Sequence, residues 1–312
     1  MGRLKRHAPE ELFLLRSRCL IGRSSTCDVR FDDARISGEH ACVRWTGDGW
    51  ELRDLASKNG VFVRNHRVAA GERILLAAGD GFTLGDPGAS AFRFTLVEAA
   101  PPVASALHVA SGAVRESTAG LLVLPDDNHP RVSLIEGRNG RWMLEAEGEV
   151  RAAEDREIVV VDGEAWSLDL PALTGPTLDG DAAAAQPAGR PLIDSITLRF
   201  RVSRDEERVE ITILHRGGEL HLPARSHHYL LLTLARARLA DAGAQPAQQG
   251  WRDRDELCRM LAMDEYRLNV DVCRARKQFL AAGVHGAANL VERRPGTGRI
   301  RLGVGRVEIE RA

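Results

Sequence analysis

The sequence lacks the cysteine pattern of a disulfide-stabilised or zinc-binding domain. Its five cysteines are Cys19, Cys27, Cys42, Cys258 and Cys273. Their number is odd and no two of them are separated by only two residues, so neither a disulfide framework nor a zinc ribbon is expected. Cys258 and Cys273 fall in helical patterns, where a free cysteine packs as a small apolar side chain.

Long apolar runs are also missing. The longest, such as residues 229–235, are far shorter than the roughly 20 residues that a membrane-spanning helix needs. Near the N-terminus, Glu10, Glu11 and Arg16 confine the apolar run to residues 12–15, which is too short for a signal peptide. We therefore expect a cytoplasmic protein with no membrane partner.

The chain as a whole has no excess of one charge, since 43 Lys and Arg residues oppose 44 Asp and Glu residues. The charges are unevenly distributed along it. Residues 98–220 contain 12 basic and 22 acidic residues, whereas residues 221–312 contain 16 basic and 10 acidic residues. The last segment would attract a polyanion at low salt, and the acidic segment before it would compete with one.

Between residues 12 and 97, short apolar runs recur every 8 to 12 residues and are separated by Gly and Asp. This spacing predicts an all-β sandwich. The total length of 312 residues is too great for one ordinary domain, so we expect a multidomain protein.

Three predicted turns of this sandwich carry polar motifs. They are Gly22-Arg23-Ser24-Ser25, Ile36-Ser37-Gly38-Glu39-His40 and Ser57-Lys58-Asn59-Gly60. Loops at one end of a rigid sandwich commonly present binding residues. An arginine offers paired donors to phosphate oxygens, a serine hydroxyl offers another, and an asparagine amide can hold a peptide backbone. The set predicts a site for a phosphorylated peptide.

The same motifs resemble those of forkhead-associated (FHA) domains, and the resemblance gives an FHA-like domain over residues 10–97. It implies a β-sandwich that binds phosphothreonine peptides. Arg23 and Ser37 would contact the phosphate, Asn59 would hold the peptide backbone, and His40 would brace the loops.

Two positions depart from the family pattern. Lys58 stands where a threonine often helps to bind the phosphate, and a cation there would still attract it. Gly38 stands where many members carry Arg or Asn, so one ligand contact is lost. The alternative is an FHA-shaped domain whose site has decayed, but the presence of Arg23, Ser37 and Asn59 favours a working site.

The pattern of residues 108–171 predicts a β-rich segment of unknown role, because short apolar runs and turn residues alternate there. Two stretches rich in Ala, Pro and Gly flank it and predict linkers at residues 98–106 and 174–191.

In residues 192–312 the spacing of apolar residues is first typical of strands, then of helices, and then of strands again. The pattern predicts a small antiparallel sheet, helices over residues 229–239, 254–263 and 266–282, and a final hairpin around Gly296-Thr297-Gly298. In the third helix, Leu268, Val272, Ala275 and Phe279 are spaced to form one apolar face.

The remaining faces of that helix and the hairpin are basic. The candidate DNA-binding residues are Arg267, Arg274, Lys277, Arg293, Arg294 and Arg299. A helix with an apolar back and an Arg and Lys front suits the major groove, where such side chains reach base edges and phosphates. This interpretation predicts that Arg274 and Lys277 are exposed.

The helix, the segment Trp251–Leu257 before it and the hairpin after it resemble the winged-helix output domains of the OmpR type. The resemblance implies an α+β winged helix-turn-helix domain, sequence-specific binding to double-stranded DNA and transcriptional control. Since winged-helix folds also serve as protein-interaction modules, that alternative stays open.

An enzyme is not expected. The glycine pairs around Asp80 and Thr297 belong to hairpins rather than to phosphate-cradling strand-to-helix loops, and no cofactor is implied. His227 and His228 have no acidic or cysteine partner at ligand spacing, so we expect them to be surface histidines at a helix N-terminus rather than metal ligands.

Together these features predict a phosphothreonine-dependent signalling protein that acts as a DNA-binding transcription regulator downstream of a Ser/Thr kinase. Its partners would be a phosphothreonine-containing protein, either a kinase or a kinase substrate, and DNA. The alternative is a signalling scaffold with two protein-interaction modules and no contact with DNA.

Overall fold

The computed structural model describes residues 1–69, 71–171 and 191–311, which form two compact units. The first unit contains Met1–Ala104 and the short segment that begins at Asp169. The second contains Ser105–Leu168 and the described residues from 191 onwards. The middle segment therefore belongs to the same unit as the C-terminal region. Of the predicted linker at residues 174–191, all but Pro191 lies outside the described residues.

The first unit is a sandwich of two sheets, as the spacing of apolar runs predicts. Its strands are β1 (Arg3–His7), β2 (Glu10–Leu14), β3 (Arg18–Gly22), β4 (Val29–Arg30), β5 (Ala41–Trp45), β6 (Trp50–Asp54), β7 (Val61–Val63), β8 (His66–Arg67), β9 (Ile74–Leu76), β10 (Gly81–Leu84) and β11 (Arg93–Glu98). The six-stranded sheet has the order β2-β1-β11-β10-β7-β8 and the five-stranded sheet the order β4-β3-β5-β6-β9.

Alternating side chains from the two sheets fill the core between them. Phe94 and Leu96 of β11 and Ile21 and Leu52 of the other sheet are fully buried, and all four belong to one apolar cluster. Strand β1 precedes the predicted start of the domain. It has one buried apolar residue, Leu4, which pairs with Leu96, so no apolar run marks the strand in the sequence.

The middle segment forms two four-stranded sheets. Its strands are β12 (Ser105–His108), β13 (Val114–Glu116), β14 (Leu121–Pro125), β15 (Pro130–Glu136), β16 (Trp142–Ala146), β17 (Glu149–Ala152), β18 (Ile158–Val161) and β19 (Glu164–Asp169). The orders are β13-β12-β19-β18 and β14-β15-β16-β17.

Within the described residues, the C-terminal region contains two further sheets, three α-helices and a short 3₁₀ helix, Ala287–Leu290. Its elements are β20 (Thr197–Val202), β21 (Val209–His215), β22 (Gly218–Leu222), α1 (His228–Ala240), β23 (Arg252–Asp253), α2 (Arg254–Met260), α3 (Glu265–Ala281), β24 (Val291–Arg294), β25 (Arg299–Leu302) and β26 (Arg306–Arg311). The sheets have the orders β22-β21-β20-β26 and β23-β25-β24. Strand β26, which pairs in parallel with β20, was not predicted because its sequence is mostly charged.

Aspartate side chains fix the starts of the last two helices. The carboxylate of Asp253 accepts hydrogen bonds from the backbone amides of Asp255 and Glu256. The carboxylate of Asp264 accepts one from the backbone amide of Arg267. These N-caps satisfy amides that have no partner inside the helix. The apolar stripe of α3 is then held against the core, with Leu268 and Phe279 fully buried.

A second face of α3 packs against the middle segment. Cys273 of α3 and Ala288 form a buried apolar cluster with Leu121, Val123 and Ile135 of β14 and β15. This cluster covers a helix face that is distinct from the Leu268 stripe, since Cys273 is one residue beyond Val272 and about 100° further round the helix.

A buried ion cluster extends the same contact. Nη1 and Nη2 of Arg276 donate to the two carboxylate oxygens of Glu145 at 2.8 and 3.0 Å, and Nη2 also donates to the Val291 carbonyl at 2.7 Å. Nε of Arg293 lies 3.6 Å from the same carboxylate. Burial raises the pKa of Glu145, but the two guanidinium groups outweigh that effect and hold it below its usual value.

Because one carboxylate balances two buried guanidinium groups, Glu145→Gln should destabilise the second unit by about 3 to 5 kcal/mol. Arg276→Met should cost less, since Glu145 would keep Arg293 as its counterion. Amide hydrogen exchange across α3 and β16 of the full chain measures both effects. Glu149→Gln on the neighbouring strand, where the side chain is exposed, is the control. Equal protection in Glu145→Gln and the control would contradict the role of the cluster.

Candidate functional site

The polar motifs of the first unit lie on three loops that the backbone ties together. The amide of Arg23 donates to the Ser37 carbonyl at 2.9 Å, and the amide of Ser24 donates to the Gly38 carbonyl at 2.8 Å. Lys58 joins them from the third loop, since its amide donates to the Ser37 hydroxyl oxygen at 3.0 Å. The three motifs therefore form one surface.

Gly22, at the end of β3, makes this close approach possible. A Cβ atom there would lie 2.3 Å from the Gly38 carbonyl oxygen and 2.9 Å from the Cys27 sulfur. Backbone of the neighbouring loop thus occupies the space that any other side chain would need. Gly38 itself faces open space, with nothing within 4 Å of a Cβ built on it.

His40 braces the loops from below, as the family resemblance implies. It is fully buried, its Nδ1 accepts the Ser37 amide proton at 3.1 Å, and its Nε2 donates to the Gly60 carbonyl at 3.0 Å. Burial lowers the pKa of His40, so the ring is neutral at neutral pH and acts as one acceptor and one donor.

These contacts leave donors available at the surface. The Ser37 hydroxyl oxygen accepts from Lys58, so its own proton remains to be donated. The side chain of Arg23 is exposed, and its Nε approaches only the Ile36 carbonyl, at 3.4 Å. Within the described residues, neither Arg23 nor Lys58 has a carboxylate partner. Two unneutralised cations and a hydroxyl donor suit a phosphate group.

Asn59 lies beside them at the edge of the same surface. Its Nδ2 donates to the Arg35 carbonyl at 2.8 Å, which positions the amide, and its Oδ1 has no partner among the described residues. The remaining donor and acceptor match the needs of a peptide backbone. The structure thus brings Arg23, Ser37, Lys58 and Asn59 together.

Two further arginines flank this surface, and neither was predicted to be a binding residue. Nε of Arg30 donates to the Arg23 carbonyl at 3.4 Å, and Nη2 of Arg67 donates to the Lys58 carbonyl at 3.4 Å. Both are exposed and lie on short strands rather than in the motif loops. Motif spacing cannot reveal them, because only the fold places β4 and β8 next to the site.

The candidate DNA-binding residues of α3 differ in their exposure. The side chains of Arg267 and Arg274 are 51% and 53% exposed and lie near Asp271 on the same helix, whereas Lys277 is half-buried and pairs with Asp127 of the middle segment. The expectation that Lys277 is freely exposed is therefore wrong, because the acidic segment packs on that face.

The candidate residues of the β24–β25 hairpin are divided in the same way. The side chain of Arg293 is only 4% exposed and donates to Asn269 at 2.5 Å, so it faces the interior rather than the surface. Arg294 lies over the Trp251 ring at 4.6 Å, and Arg299 is exposed.

His227 and His228 are buried, which contradicts the expectation of surface histidines. Their Nε2 atoms lie 2.7 and 2.9 Å from Oε1 of Gln278, so both pack against α3. Among residues 1–69, 71–171 and 191–311, no group of three or more His, Cys, Asp or Glu residues is placed to hold a metal ion. None of the helices described there is long and apolar enough to cross a membrane.

Comparison with known proteins identifies the family of the first unit. Residues 19–85 match the FHA domain family, so the N-terminal unit contains an FHA domain. Over 75 residues the chain is 36% identical to protein phosphatase 2C 70 of Arabidopsis thaliana. That alignment covers 21% of this chain and 13% of the phosphatase, so the likeness is to a small part of the enzyme.

Solved structures are similar to about 30% of the chain. The FhaA FHA domain, in complex with the intracellular domain of Rv3910, is 29% identical and covers 30% of this chain and 98% of its own, with a TM-score of 0.27. Mycobacterium tuberculosis EmbR, bound to a low-affinity phosphopeptide, is 28% identical and covers 32% of this chain and 25% of its own, with a TM-score of 0.28.

The packing at Gly22 generates a testable expectation. Gly22→Ala should destabilise the site loops by about 1 to 3 kcal/mol, because the new methyl group must displace the Gly38 backbone. Gly38→Ala, one loop away, should change stability by no more than about 0.5 kcal/mol. Hydrogen-exchange protection of residues 18–45 in the full chain reports both. Similar protection in the two variants would show that the loops are not held by this contact.

Proposed function

We propose that this protein acts in phosphothreonine-dependent signalling and that its FHA domain binds a phosphothreonine-containing partner. The observation that carries the proposal is the convergence of Arg23, Ser37, Lys58 and Asn59 on one surface, where no carboxylate of the described residues neutralises the two cations. The partner would be a Ser/Thr kinase or one of its substrates.

The site divides into a part for the phosphate and a part for the peptide. Arg23 and Lys58 would balance the phosphate charge, which is close to −2 at neutral pH, while the Ser37 hydroxyl donates a further hydrogen bond. Asn59, held by the Arg35 carbonyl, would bind the peptide main chain through its amide. Neutral His40 contributes by fixing the loops and touches no ligand.

We propose that the C-terminal region is a winged-helix domain that binds DNA and regulates transcription. The order of its elements supports this: a sheet, then α1, a short strand β23, α2, α3 and the β24–β25 hairpin, with β23 paired to β25. Arg267, Arg274 and Arg299 are exposed on α3 and the hairpin, where contact with a duplex would occur.

One observation favours the alternative of a scaffold that does not bind DNA. The middle segment covers the Cys273 face of α3, and Lys277 and Arg293 are engaged by Asp127 and Glu145. A duplex could reach that face only after the middle segment moved away.

Arg23→Ala should weaken binding to phosphothreonine peptides by about a hundredfold, since charge-assisted hydrogen bonds to the phosphate are lost. The assay is binding of the full chain to an immobilised phosphothreonine peptide library, with the dephosphorylated library as reference. The matched control is Arg64→Ala. Arg64 is an exposed arginine that directly follows β7 and pairs with Asp80. Unchanged binding by a folded Arg23→Ala protein would refute the site.

DNA binding is tested with the full chain and duplex DNA over a series of salt concentrations. Arg274→Ala should cost about 1 to 3 kcal/mol if it reads a base, or reduce the salt slope by about one if it contacts a phosphate. Arg259→Ala on α2, also an exposed helical arginine, should change neither quantity. If the wild type shows no salt-dependent binding to any duplex, the scaffold function replaces the regulatory one.

A further inference from the structure

A groove of about 810 Å³ lies in the second unit beside α3. One wall is the end of β22 with the connection that leads to α1, and the other is the C-terminal half of α3. None of the functions considered above uses this groove as a whole.

The groove is basic. Arg225, Arg274 and Lys277 line it, and none of the described residues that line it is acidic, although the chain has slightly more acidic than basic residues. The side chain of Arg274 is 53% exposed and its closest carboxylate oxygen, on Asp271, is 4.0 Å away.

The cations of the groove are not equally available. Arg225 is exposed, and in the described part of the chain its guanidinium contacts only the neighbouring Ala224 carbonyl, at 3.5 Å. Lys277 already pairs with Asp127. Arg225, and Arg274 with its long 4.0 Å contact to Asp271, therefore supply most of the positive charge that a ligand could reach.

Apolar groups line the space between the cations. They include Leu220, Leu222, Pro223, Ala281 and Ala282. A ligand that fills this groove must present apolar side chains as well as negative charge, which a phosphate backbone alone does not do.

Strand β22 adds a third property, because it is the edge of its sheet. Within the described residues it pairs with β21 alone. An edge strand leaves backbone donors and acceptors free to pair with another extended chain. The five residues of β22 span roughly 17 Å, enough for an added strand of similar length.

We infer that this groove binds an extended acidic segment of a partner protein, which adds to the free edge of β22. Alternate side chains of an added strand point to opposite faces. Apolar side chains at every second position would then contact Leu220, Leu222 and Ala281, and the acidic residues between them would reach Arg225 and Arg274. Strand addition supplies affinity through the main chain and the lining side chains supply specificity.

The geometry favours this occupant over DNA. The groove is concave with apolar lining, whereas a duplex is convex and presents phosphates. The adjoining Cys273 face of α3 is buried against β14 and β15, so the middle segment restricts the approach of a duplex to this side of the helix.

The probe for the test is a fluorescein-labelled peptide of alternating Glu and Val, with a peptide of alternating Lys and Val as reference. Fluorescence anisotropy measured with the full chain should show that the acidic peptide binds and that the Lys and Val peptide does not. The double variant Arg225→Ala with Arg274→Ala should weaken that binding by roughly tenfold or more. Arg64→Ala with Arg259→Ala removes the same number of arginines from exposed positions outside both the groove and the β21–β22 hairpin, and should change affinity less than about twofold.

A second measurement separates strand addition from charge attraction and needs no protein variant. N-methylation of alternate peptide amides removes the donors on one edge of the peptide. One methylated set should abolish binding and the complementary set should leave it intact. Equal binding by both sets, or by both double variants, would overturn the proposal. Displacement of the peptide by duplex DNA, with the same dependence on Arg225 and Arg274, would assign the groove to nucleic acid instead.

Discussion

The candidate site of the first unit depends on the two hydrogen bonds of a buried, neutral histidine. His40 accepts from Ser37 through one ring nitrogen and donates to Gly60 through the other, and so joins loops that are 20 residues apart in the chain. Because these groups are buried, leaving any of them unpaired would carry the full cost of desolvation. Gly22 complements this brace by letting the loop backbones meet. The side chains of Arg23, Ser37 and Lys58 can therefore stay in place without a carboxylate partner among the described residues.

In the second unit, the corresponding constraint is the position of α3. One face of the helix packs on its own domain through Leu268 and Phe279, and the next packs on the middle segment through Cys273 and Arg276. A third face, with Arg274, borders the open groove. On a helix that shares its faces between two cores and a groove, the side that bears Arg267 and Arg274 remains open to a duplex. The regulatory function requires an exposed side of α3 that can contact DNA, whereas the scaffold function does not.

Charge links the two parts of this unit. The middle segment is acidic and the C-terminal region basic, and their opposite charges meet in specific pairs, Asp127 with Lys277 and Glu145 with Arg276. The Glu145 cluster is buried, where an unpaired charge is costly, so the acidic segment does more than attract the basic region at a distance. Its carboxylates neutralise the cations on this face of α3.

The sequence by itself determined the sandwich of the first unit, because alternating apolar residues and turn residues are local properties that set strand spacing. It also indicated which residues meet in the candidate site, since Arg23, Ser37, Lys58 and Asn59 belong to motifs that the resemblance to FHA domains assigns to neighbouring loops. Strands β1 and β26 escaped prediction because each has few apolar residues and forms only by pairing with distant strands. Tertiary structure alone decided the burial of His227, His228 and Arg293 and the packing of the middle segment on α3. Helical periodicity shows that a face is polar, but whether water, an acidic sheet or a ligand covers that face depends on contacts between residues more than 100 positions apart.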